Sequence, residues 1–533
     1  MSRINRAAVI GAGTMGAAIA AHLANSGRPV LLLDTVPTEL TAAEAARGLT
    51  LSRPAVRNRL ALAGLERVKN AHPPALFTPE TARLITVGNV EDGLGQLSEV
   101  DWIVEAVTER LDVKRALFER IEAVRSPETT VSSNTSGLPI GQIAAGRSAD
   151  FRAHFLGTHF FNPPRQMKLL EVTPTPDTLP EVTAAIRDLG ERELGKGVVL
   201  CKDTPNFIGN RLFTFDLVFA LVYAIEHGYT VEEVDLLTGP LIGRPRTGTF
   251  RLLDLVGLDV MAMVGDNLYP NIPDDESREL LRSPRLSGLT GPMIERGWLG
   301  NKSHLGFYKE VRDGGGRAFW ALDLETLEHR PPRTPALESL AAIQKERDLA
   351  VRLRLLAGLD DRAGQLVRAV LANFLGYASR RLPEVADDVQ SVDRAMRWGF
   401  NHQLGPFEIW DAFGLTAGQR LVDQHDPRGV APWVDQLIAS GRSAFYQDAT
   451  YWSVARAAPE ERVESPDALS LSGRKARSGV VVENAGASLV DLGDGIAALE
   501  LHTKLNTLDE RVVELIQRAL EKTRTDFRGL VLT

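Results

Sequence analysis

Two side chains suited to acid–base chemistry lie close together in the chain, His159 and Glu171. His159 ends an apolar stretch in Gly157–Pro164, and Glu171 lies within the next one, Lys168–Thr173. If the two stretches form neighbouring strands, the carboxylate can hold one ring nitrogen and stabilise the imidazolium. Such a pair suits removal of the hydroxyl proton while a secondary alcohol loses its hydride. Taken alone, however, a strand histidine is more often a structural residue than a base.

A glycine-rich loop near the N-terminus could bind a dinucleotide. The segment Gly11–Gly16 lies between a predicted strand and a predicted helix, where small residues let the backbone approach a pyrophosphate. Asp34 ends a second predicted strand, where a carboxylate can accept from ribose hydroxyls and repel a 2′-phosphate. The arrangement predicts NAD rather than NADP; the alternative is a glycine turn that serves tight packing alone. The candidates are Gly11, Gly13, Thr14, Met15, Gly16 and Asp34.

These residues need a sheet that brings strand ends together, and the pattern from Ala7 to about Lys202 predicts one. Short apolar runs alternate with longer amphipathic stretches, which is typical of strand–helix units and a largely parallel sheet. We therefore expect an α/β domain of the Rossmann type. The predicted strands are Ala7–Ile10, Val30–Leu33, Trp102–Val107, Thr130–Ser132 and Phe155–Phe161.

A helical region is predicted to follow. Pro205 is predicted to begin a helix that is apolar nearly all round from Phe207 to Ile225, so this helix should be buried against another domain or subunit. Residues 311–360 are predicted to be a connector. Within it Asp313–Arg317 indicates a turn, and Arg330–Pro335 cannot continue a regular element.

A second helical region begins near Arg362 and repeats the first. Five residues of the first region recur in the second at a constant offset of 157. Matches in phase at this spacing indicate a duplicated helical domain. The matched residues are Gly248, Phe250, Asp254, Gly257 and Leu258 in the first region and Gly405, Phe407, Asp411, Gly414 and Leu415 in the second.

The pattern changes again beyond Gly479. Two alternating strands flank a Gly-Asp-Gly turn within Ala487–Leu501, which predicts a hairpin. A helical stretch and the apolar strand Gly529–Thr533 follow. About 55 residues are few for an independent core, so we expect this segment to be the start of a larger domain.

The bulk composition limits the classes of function. The 533 residues are too many for one core, so about three or four domains are expected. A net charge of -8 argues against sequence-independent nucleic-acid binding. The single cysteine, Cys201, excludes an internal disulfide and favours the cytoplasm. We predict no signal peptide, no membrane span and no metal site, because the sequence carries none of their patterns.

Several short motifs are specific when taken together. His159–Pro163 is followed by Met167 and Leu170–Val172, and this combination resembles the signature of the 3-hydroxyacyl-CoA dehydrogenase family. The second repeat, including Trp398–Phe407, is similar to the two-repeat fatty-acid oxidation proteins of that family. Further segments that agree, in family order, are Glu105–Glu109 with Lys114, Ser133–Ser136, Lys202–Pro205 with Asn210 and Arg211, and Gly306–Tyr308.

The resemblance implies oxidation of (S)-3-hydroxyacyl-CoA to 3-oxoacyl-CoA with NAD, in fatty-acid β-oxidation. It implies that His159 is the general base oriented by Glu171, and that Ser136 and Asn210 bind the substrate oxygen and nearby cofactor atoms. The NAD site would be lined by Met15, Asp34, Val107, Thr108, Glu109, Lys114, Ser136 and Asn162. For Glu109 and Lys114 the alternative is the solvated face of an exposed helix.

The resemblance also implies a domain organisation. A Rossmann NAD-binding domain would span residues 1–203, two all-α dehydrogenase C-terminal-type domains 204–310 and 361–460, and the connector 311–360. Residues 479–533 resemble the opening of the enoyl-CoA hydratase (crotonase) fold without its later catalytic residues, so we expect no hydration of enoyl-CoA. The implied partners are an acyl-CoA thioester as substrate and a thiolase or further copies of the chain.

Two other functions fit parts of the pattern. Another Rossmann dehydrogenase with a helical C-terminal domain, such as the sugar-acid type, would be expected to place a catalytic lysine where Asn210 stands. A noncatalytic NAD- or acyl-CoA-binding scaffold of an oxidation complex would be favoured by the loss of His159 or Glu171, and both are present.

Overall fold

The computed structural model describes residues 4–313, 316–461, 469 and 471–533, so the centre of the predicted turn Asp313–Arg317 lies outside the described residues. The chain forms two compact units, Met1–Glu460 and Glu461–Thr533. Within the described part of the chain, no helix has the length and apolar composition that crossing a bilayer requires.

The larger unit begins with an eight-stranded sheet. Its strands are β1 (Ala7–Ile10), β2 (Val30–Asp34), β3 (Ile85–Asn89), β4 (Trp102–Glu105), β5 (Thr130–Ser133), β6 (Phe155–Phe160), β7 (Leu169–Pro174) and β8 (Gly197–Leu200). They lie in the order β3-β2-β1-β4-β5-β6-β7-β8. The first six are parallel, whereas β7 runs antiparallel to β6. The predicted Rossmann-type sheet is therefore confirmed.

All five predicted strands are present, with small changes at their ends. β4 stops at Glu105 rather than Val107, and β6 at Phe160 rather than Phe161. The pattern missed β3 and β8, which lie at the two edges of the sheet. In β3 (Ile-Thr-Val-Gly-Asn) polar residues and a glycine interrupt the apolar run that predicts a strand, whereas the four residues of β8 (Gly-Val-Val-Leu) are an apolar run and were overlooked.

Helices connect these strands. Helix α1 (Thr14–Asn25) follows the glycine loop, and its alanines are small enough to bring it close to the sheet. The others are α2 (Ala42–Ala46), α3 (Pro54–Arg57), α4 (Arg59–Lys69), α5 (Leu111–Glu122), α6 (Ile140–Ile143), α7 (Ala149–Ala153) and α8 (Pro180–Asp188).

The first helical region begins with α9 (Gly209–Glu226), so the prediction that Pro205 starts this helix was wrong. Asn206 and Phe207 have left-handed φ angles of 64° and 48°, and a turn therefore separates Pro205 from the helix. Most of α9 is buried, as its apolar sequence predicts. Helices α10 (Val231–Leu237), α11 (Phe250–Val256), α12 (Leu258–Leu268) and α13 (Pro284–Glu295) follow.

The segment predicted as a connector is not irregular throughout. Strands β9 (Tyr308–Asp313), β10 (Gly316–Leu322) and β11 (His329–Arg330) form a small antiparallel sheet. Two helices follow, α14 (Leu340–Ile343) and α15 (Leu349–Ala357). The proline-rich stretch after Arg330 does lack regular structure, as prolines there predict.

The second helical region begins with α16 (Arg362–Val385), which packs against α9. It continues with α17 (Val389–Phe400), α18 (Pro406–Phe413), α19 (Leu415–His425) and α20 (Pro432–Ala439), then β12 (Tyr446–Gln447), β13 (Thr450–Ser453) and β14 (Ala458–Glu461).

The duplication inferred from the sequence extends to side-chain contacts. Asp254 accepts hydrogen bonds from the backbone N–H groups of Phe307 and Tyr308, at 2.8 Å each. Asp411 accepts from the corresponding pair, Phe445 and Tyr446, at 2.8 and 3.0 Å. In both regions the aspartate thus ties a helix to an aromatic pair further along the chain.

A buried ionic cluster joins the two helical regions. Arg211 of α9 is fully buried, and its Nη2 lies 2.8 Å from Asp275 Oδ2. Its Nε donates to the hydroxyl of Tyr377 on α16 at 2.8 Å, and that hydroxyl donates to Asp275 at 2.8 Å. Removing the guanidinium would take the nearest positive charge from the buried Asp275 carboxylate, which would keep only the Tyr377 hydroxyl and the Ser277 N–H as close donors.

Arg211→Ala should therefore lower the free energy of unfolding of the Met1–Glu460 unit by about 3–5 kcal/mol. Urea unfolding followed by tryptophan fluorescence measures this change. The matched control is Arg110→Ala, since Arg110 forms an exposed pair with Asp112 and its loss should leave the midpoint unchanged. Equal behaviour of the two variants would contradict the role of the cluster.

The smaller unit is a four-stranded sheet with helices. It consists of α21 (Leu471–Ser478), β15 (Val480–Glu483), β16 (Ala487–Gly493), β17 (Ile496–Leu501), α22 (Glu510–Asp526) and β18 (Gly529–Leu532). The predicted hairpin is confirmed, because β16 and β17 pair antiparallel around the Gly-Asp-Gly turn. α22 connects β17 to the parallel strand β18 and buries Val512 and Leu515.

Candidate active site

Most of the predicted site residues lie where parallel strands of the first sheet end. Ligands of open α/β sheets bind at these carboxyl ends, because the loops there leave a crevice. By strand, the residues are Gly11 after β1, Asp34 in β2, Val107, Thr108 and Glu109 after β4, Ser136 after β5, and His159 and Asn162 at the end of β6.

His159 and Glu171 face each other across β6 and β7. They are direct partners in the antiparallel register, and Nδ1 of His159 lies 2.7 Å from Oε2 of Glu171. Glu171 is fully buried and His159 is 4% exposed. An ionised carboxylate only accepts, so Nδ1 donates and the ring's lone pair is on Nε2. Nε2 has no hydrogen-bond partner among the described residues, so it can act as a base.

The second oxygen of Glu171 binds the start of α9. Oε1 accepts hydrogen bonds from the backbone N–H groups of Gly209 at 2.8 Å and Ile208 at 3.3 Å. The positive end of a helix favours a carboxylate at this place. Burial, and then the charge of Glu171, raise the pKa of the neighbouring Cys201 thiol. Glu171 is thus held at both oxygens, and it fixes the ring of His159 in turn.

The glycine loop has the shape that a dinucleotide needs. A Cβ on Gly16 would lie 1.8 Å from the carbonyl oxygen of Gly11, so close packing requires glycine there. A Cβ on Gly13 would meet nothing within 4 Å, and this open side faces away from the packed backbone. Asp34 Oδ2 accepts from the backbone N–H of Ala12 at 2.6 Å, which joins the acidic residue to the loop. These residues fit NAD, with a pyrophosphate at the start of α1 and a ribose at Asp34.

Lys114 and Glu109 belong to a buried network, so the solvated-face alternative for Lys114 is wrong. Lys114 is fully buried, with Nζ 2.7 Å from Glu105 and 3.4 Å from Glu109. Burial works to raise the pKa of Glu109, but Lys114 and hydrogen bonds from Thr135, Ser136 and Gly137 outweigh it, and the pKa is lowered. Glu109 therefore anchors the loop that carries Ser136.

Ser136 and Asn210 are brought together in the structure. The Nδ2 of Asn210 lies 3.5 Å from the carbonyl oxygen of Ser136. Asn210 directly follows Gly209, which binds Glu171. Ser136 is exposed, so its side chain is open to a ligand.

Asn162 begins a loop that the side chain of Lys196 holds in place. Lys196 donates to the carbonyl oxygens of Pro164 and Met167, the latter at 2.8 Å. Burial lowers the pKa of Lys196 to about 8. The lysine keeps this loop against the sheet, with Asn162 exposed at its start.

Other residues that support the site were missed from the sequence. Ser133 donates to the buried Glu105 at 2.6 Å, whereas the sequence pattern included it in a family segment and predicted no role for it. Phe400, from the second helical region, reaches the aromatic rings beside His159. Contacts between residues so distant in the chain leave no local sequence signal.

Among the described residues, no group of three or more His, Cys, Asp or Glu side chains could hold a metal ion.

Comparison with known proteins places these features in one family. The model of the 3-hydroxyacyl-CoA dehydrogenase NAD-binding domain matches residues 6–204, and that of the C-terminal domain of the same enzyme matches 207–310 and again 364–448. The C-terminal model thus matches both helical regions.

Relatives agree. A probable 3-hydroxyacyl-CoA dehydrogenase of Bacillus subtilis is 42% identical over 99% of this chain and 66% of its own, so this chain spans about two thirds of that relative. One of Deinococcus radiodurans is 45% identical over 59% of this chain and 85% of its own. The crystal structure of 3-hydroxybutyryl-CoA dehydrogenase from Escherichia coli is 26% identical, with a TM-score of 0.59 over 83% of this chain and 100% of its own. Since the models of both dehydrogenase domains match in order, and a relative that is 42% identical aligns with 99% of this chain, this chain belongs to the 3-hydroxyacyl-CoA dehydrogenase family.

Proposed function

We propose that this chain oxidises the 3-hydroxyl group of a 3-hydroxyacyl-CoA thioester to a ketone with NAD, as a step of fatty-acid β-oxidation. The observation that carries the proposal is the His159–Glu171 pair. The 2.7 Å hydrogen bond between Nδ1 and Oε2 holds the ring, and Nε2 is left to act as a base. It lies at the carboxyl ends of the parallel strands, where the glycine loop also lies.

The residues divide the chemistry between them. His159 Nε2 takes the proton from the C3 hydroxyl, and Glu171 stabilises the imidazolium that results. Bound NAD supplies the nicotinamide ring that accepts the C3 hydride, so the products are a 3-oxoacyl-CoA, NADH and a proton. Ser136 and Asn210 hold the reacting oxygen. The contact between them, and the place of Asn210 directly after Gly209, which binds Glu171, support this role. We assign the S isomer of the substrate by analogy with the family.

Cofactor choice should depend on Asp34. Wild-type protein should bind NAD more tightly than NADP, because the carboxylate repels a 2′-phosphate. Asp34→Ser should narrow the ratio of the two Kd values by about tenfold or more, which corresponds to about 1.4 kcal/mol. Calorimetric titration with each cofactor measures the ratio. As the control, Glu99→Ser removes an exposed carboxylate that pairs with Arg6 and should leave the ratio unchanged.

Turnover of short and long substrates tests the proposed function. NADH absorbance is followed with (S)- and (R)-3-hydroxybutyryl-CoA and with a longer (S)-3-hydroxyacyl-CoA. We expect activity with the S isomers and none with the R isomer, and the two S substrates give the chain-length preference. Folded protein that binds NAD but oxidises neither S substrate would favour the noncatalytic scaffold instead.

We further propose that the second helical region replaces the partner subunit of single-repeat relatives. The packing of α9 against α16 and the buried Arg211 cluster support this role.

We assign residues 1–203 to the NAD-binding domain, 204–310 and 361–460 to the two repeats, and 479–533 to the opening of a crotonase-type fold. The β16–β17 hairpin and the β17–α22–β18 crossover support the last assignment. A thiolase or further copies of the chain are the proposed partners, and the cytoplasm is the proposed location.

A further inference from the structure

We propose that Phe400, a residue of the second helical repeat, is a positioning residue for the His159–Glu171 pair. This inference rests on the proposed dehydrogenase function and deepens it. The second repeat would then complete the active site of the first rather than only stabilise it. Phe400 is the last residue of α17, and it lies far from the pair in sequence.

Phe400 reaches His159 through one intervening ring. The ring centroids of Phe400 and Phe161 are 5.6 Å apart at an edge-on angle of 81°, and those of Phe161 and His159 are 4.5 Å apart. On its other side Phe400 stacks on Phe213 of α9 at 4.2 Å. Aromatic pairs at these separations stabilise each other beyond simple burial. Phe161 is therefore held between the imidazole and Phe400.

Phe400 also covers the backbone that binds Glu171. A Cβ built on Gly209 would meet Phe400 Cε2 at 2.9 Å and Glu171 Oε1 at 3.4 Å. Gly209 donates the 2.8 Å hydrogen bond to that same oxygen. The ring thus packs on the first residue of α9 at the point where the helix holds the carboxylate. An apolar cover at this point keeps water from competing for the bond.

The two residues before Phe400 fix its position. A Cβ on Gly399 would lie 2.7 Å from Leu169 Cδ2 and 3.3 Å from Phe161 Cε1, so α17 lies directly against the strands of the site. Trp398 packs over Gly197 of β8, and the Nζ of Lys168 lies 4.8 Å from its ring. Three consecutive residues of the second repeat therefore contact β7, β8 or α9.

Removal of the Phe400 ring would leave an empty space behind both Phe161 and Gly209. The imidazole and the carboxylate would each lose a rigid support, and small misplacement of reacting groups costs about a hundredfold in rate. The Kd for NAD should change little, because the pyrophosphate and the ribose are held by the glycine loop and Asp34, at the ends of β1 and β2. The effect should therefore appear in kcat and in the His159–Glu171 hydrogen bond.

Three variants test the proposal. Phe400→Ala should lower kcat by about a hundredfold with little change in the Kd for NAD. Phe400→Leu keeps an apolar side chain at the position and should restore much of kcat. Trp433→Ala is the matched control, because Trp433 packs on Phe407 and Phe445 inside the second repeat and should lower the melting temperature without lowering kcat.

A second readout does not need turnover. Nuclear magnetic resonance of histidine-labelled protein, with the His159 signal assigned by His159→Gln, measures how fast the Nδ1 hydrogen exchanges with water. Exchange should be faster in Phe400→Ala than in wild type and Trp433→Ala. Wild-type kcat and exchange in Phe400→Ala, or an equal loss of kcat in Trp433→Ala, would overturn the proposal. An inactive wild type would instead count against the dehydrogenase function, and the exchange rates would still decide the role of Phe400.

Discussion

His159→Gln should lower kcat for (S)-3-hydroxybutyryl-CoA by about a hundredfold or more, since a positioned general base contributes about 10²–10⁴-fold. Glutamine is preferred to alanine because its amide can still donate to the buried Glu171, which limits the loss of stability. The Kd for NAD should stay near the wild-type value. Steady-state kinetics and calorimetric titration measure the two quantities.

The control for this variant is another histidine of the same domain. His154, which directly follows α7, contacts the backbone oxygen of Asp150 and has no contact with Glu171 among the described residues. His154→Gln should keep wild-type kcat. Retention of more than a tenth of the activity by His159→Gln would show that another group removes the proton.

Gly13→Asp should abolish useful NAD binding while leaving the fold intact. Its Cβ would meet no atom within 4 Å, so the protein itself has room for the side chain. A pyrophosphate at the start of α1 would lie against the new carboxylate. Two like charges about 4 Å apart near a protein surface repel by about 4 kcal/mol, so the Kd for NAD should rise on the order of a hundredfold or more. Calorimetric titration with NAD checks this.

Two further variants serve as controls for Gly13→Asp. Gly288→Asp adds the same charge at an open position of α13 and should change neither the Kd for NAD nor the melting temperature. Gly16→Ala should lower the melting temperature, because its Cβ would lie 1.8 Å from the Gly11 carbonyl oxygen. Unchanged NAD affinity in Gly13→Asp would mean that the cofactor does not approach this loop.

The parts of the molecule with local patterns could be predicted from the sequence. Buried parallel strands are mostly apolar, which predicts β1, β2, β4 and β6, whereas β5 (Thr-Val-Ser-Ser) has a single apolar residue and is predicted by the strand–helix alternation. The glycine loop follows from its place between a strand and a helix. The facing of His159 and Glu171 was predicted from two consecutive apolar stretches and is present in the register of β6 and β7.

The parts that depend on contacts between distant residues could not be predicted. Charges in an amphipathic pattern predict a solvated face, yet Lys114 is buried because Glu105 and Glu109 neutralise it. Pro205 is a common first residue of a helix, but the backbone at Asn206 and Phe207 turns so that the N–H groups of Ile208 and Gly209 reach Glu171. In each case a tertiary contact overrides the local preference.

The most direct test of the central claim follows the hydrogen on C3 of the substrate. Wild-type protein is given NAD and (S)-3-hydroxybutyryl-CoA carrying deuterium at C3, and the product NADH is analysed by mass spectrometry. If His159 takes the hydroxyl proton while C3 gives its hydride to the nicotinamide, each NADH should carry one deuterium and acetoacetyl-CoA should form in equal amount. NADH without deuterium, or no NADH from folded protein that binds NAD, would contradict the account.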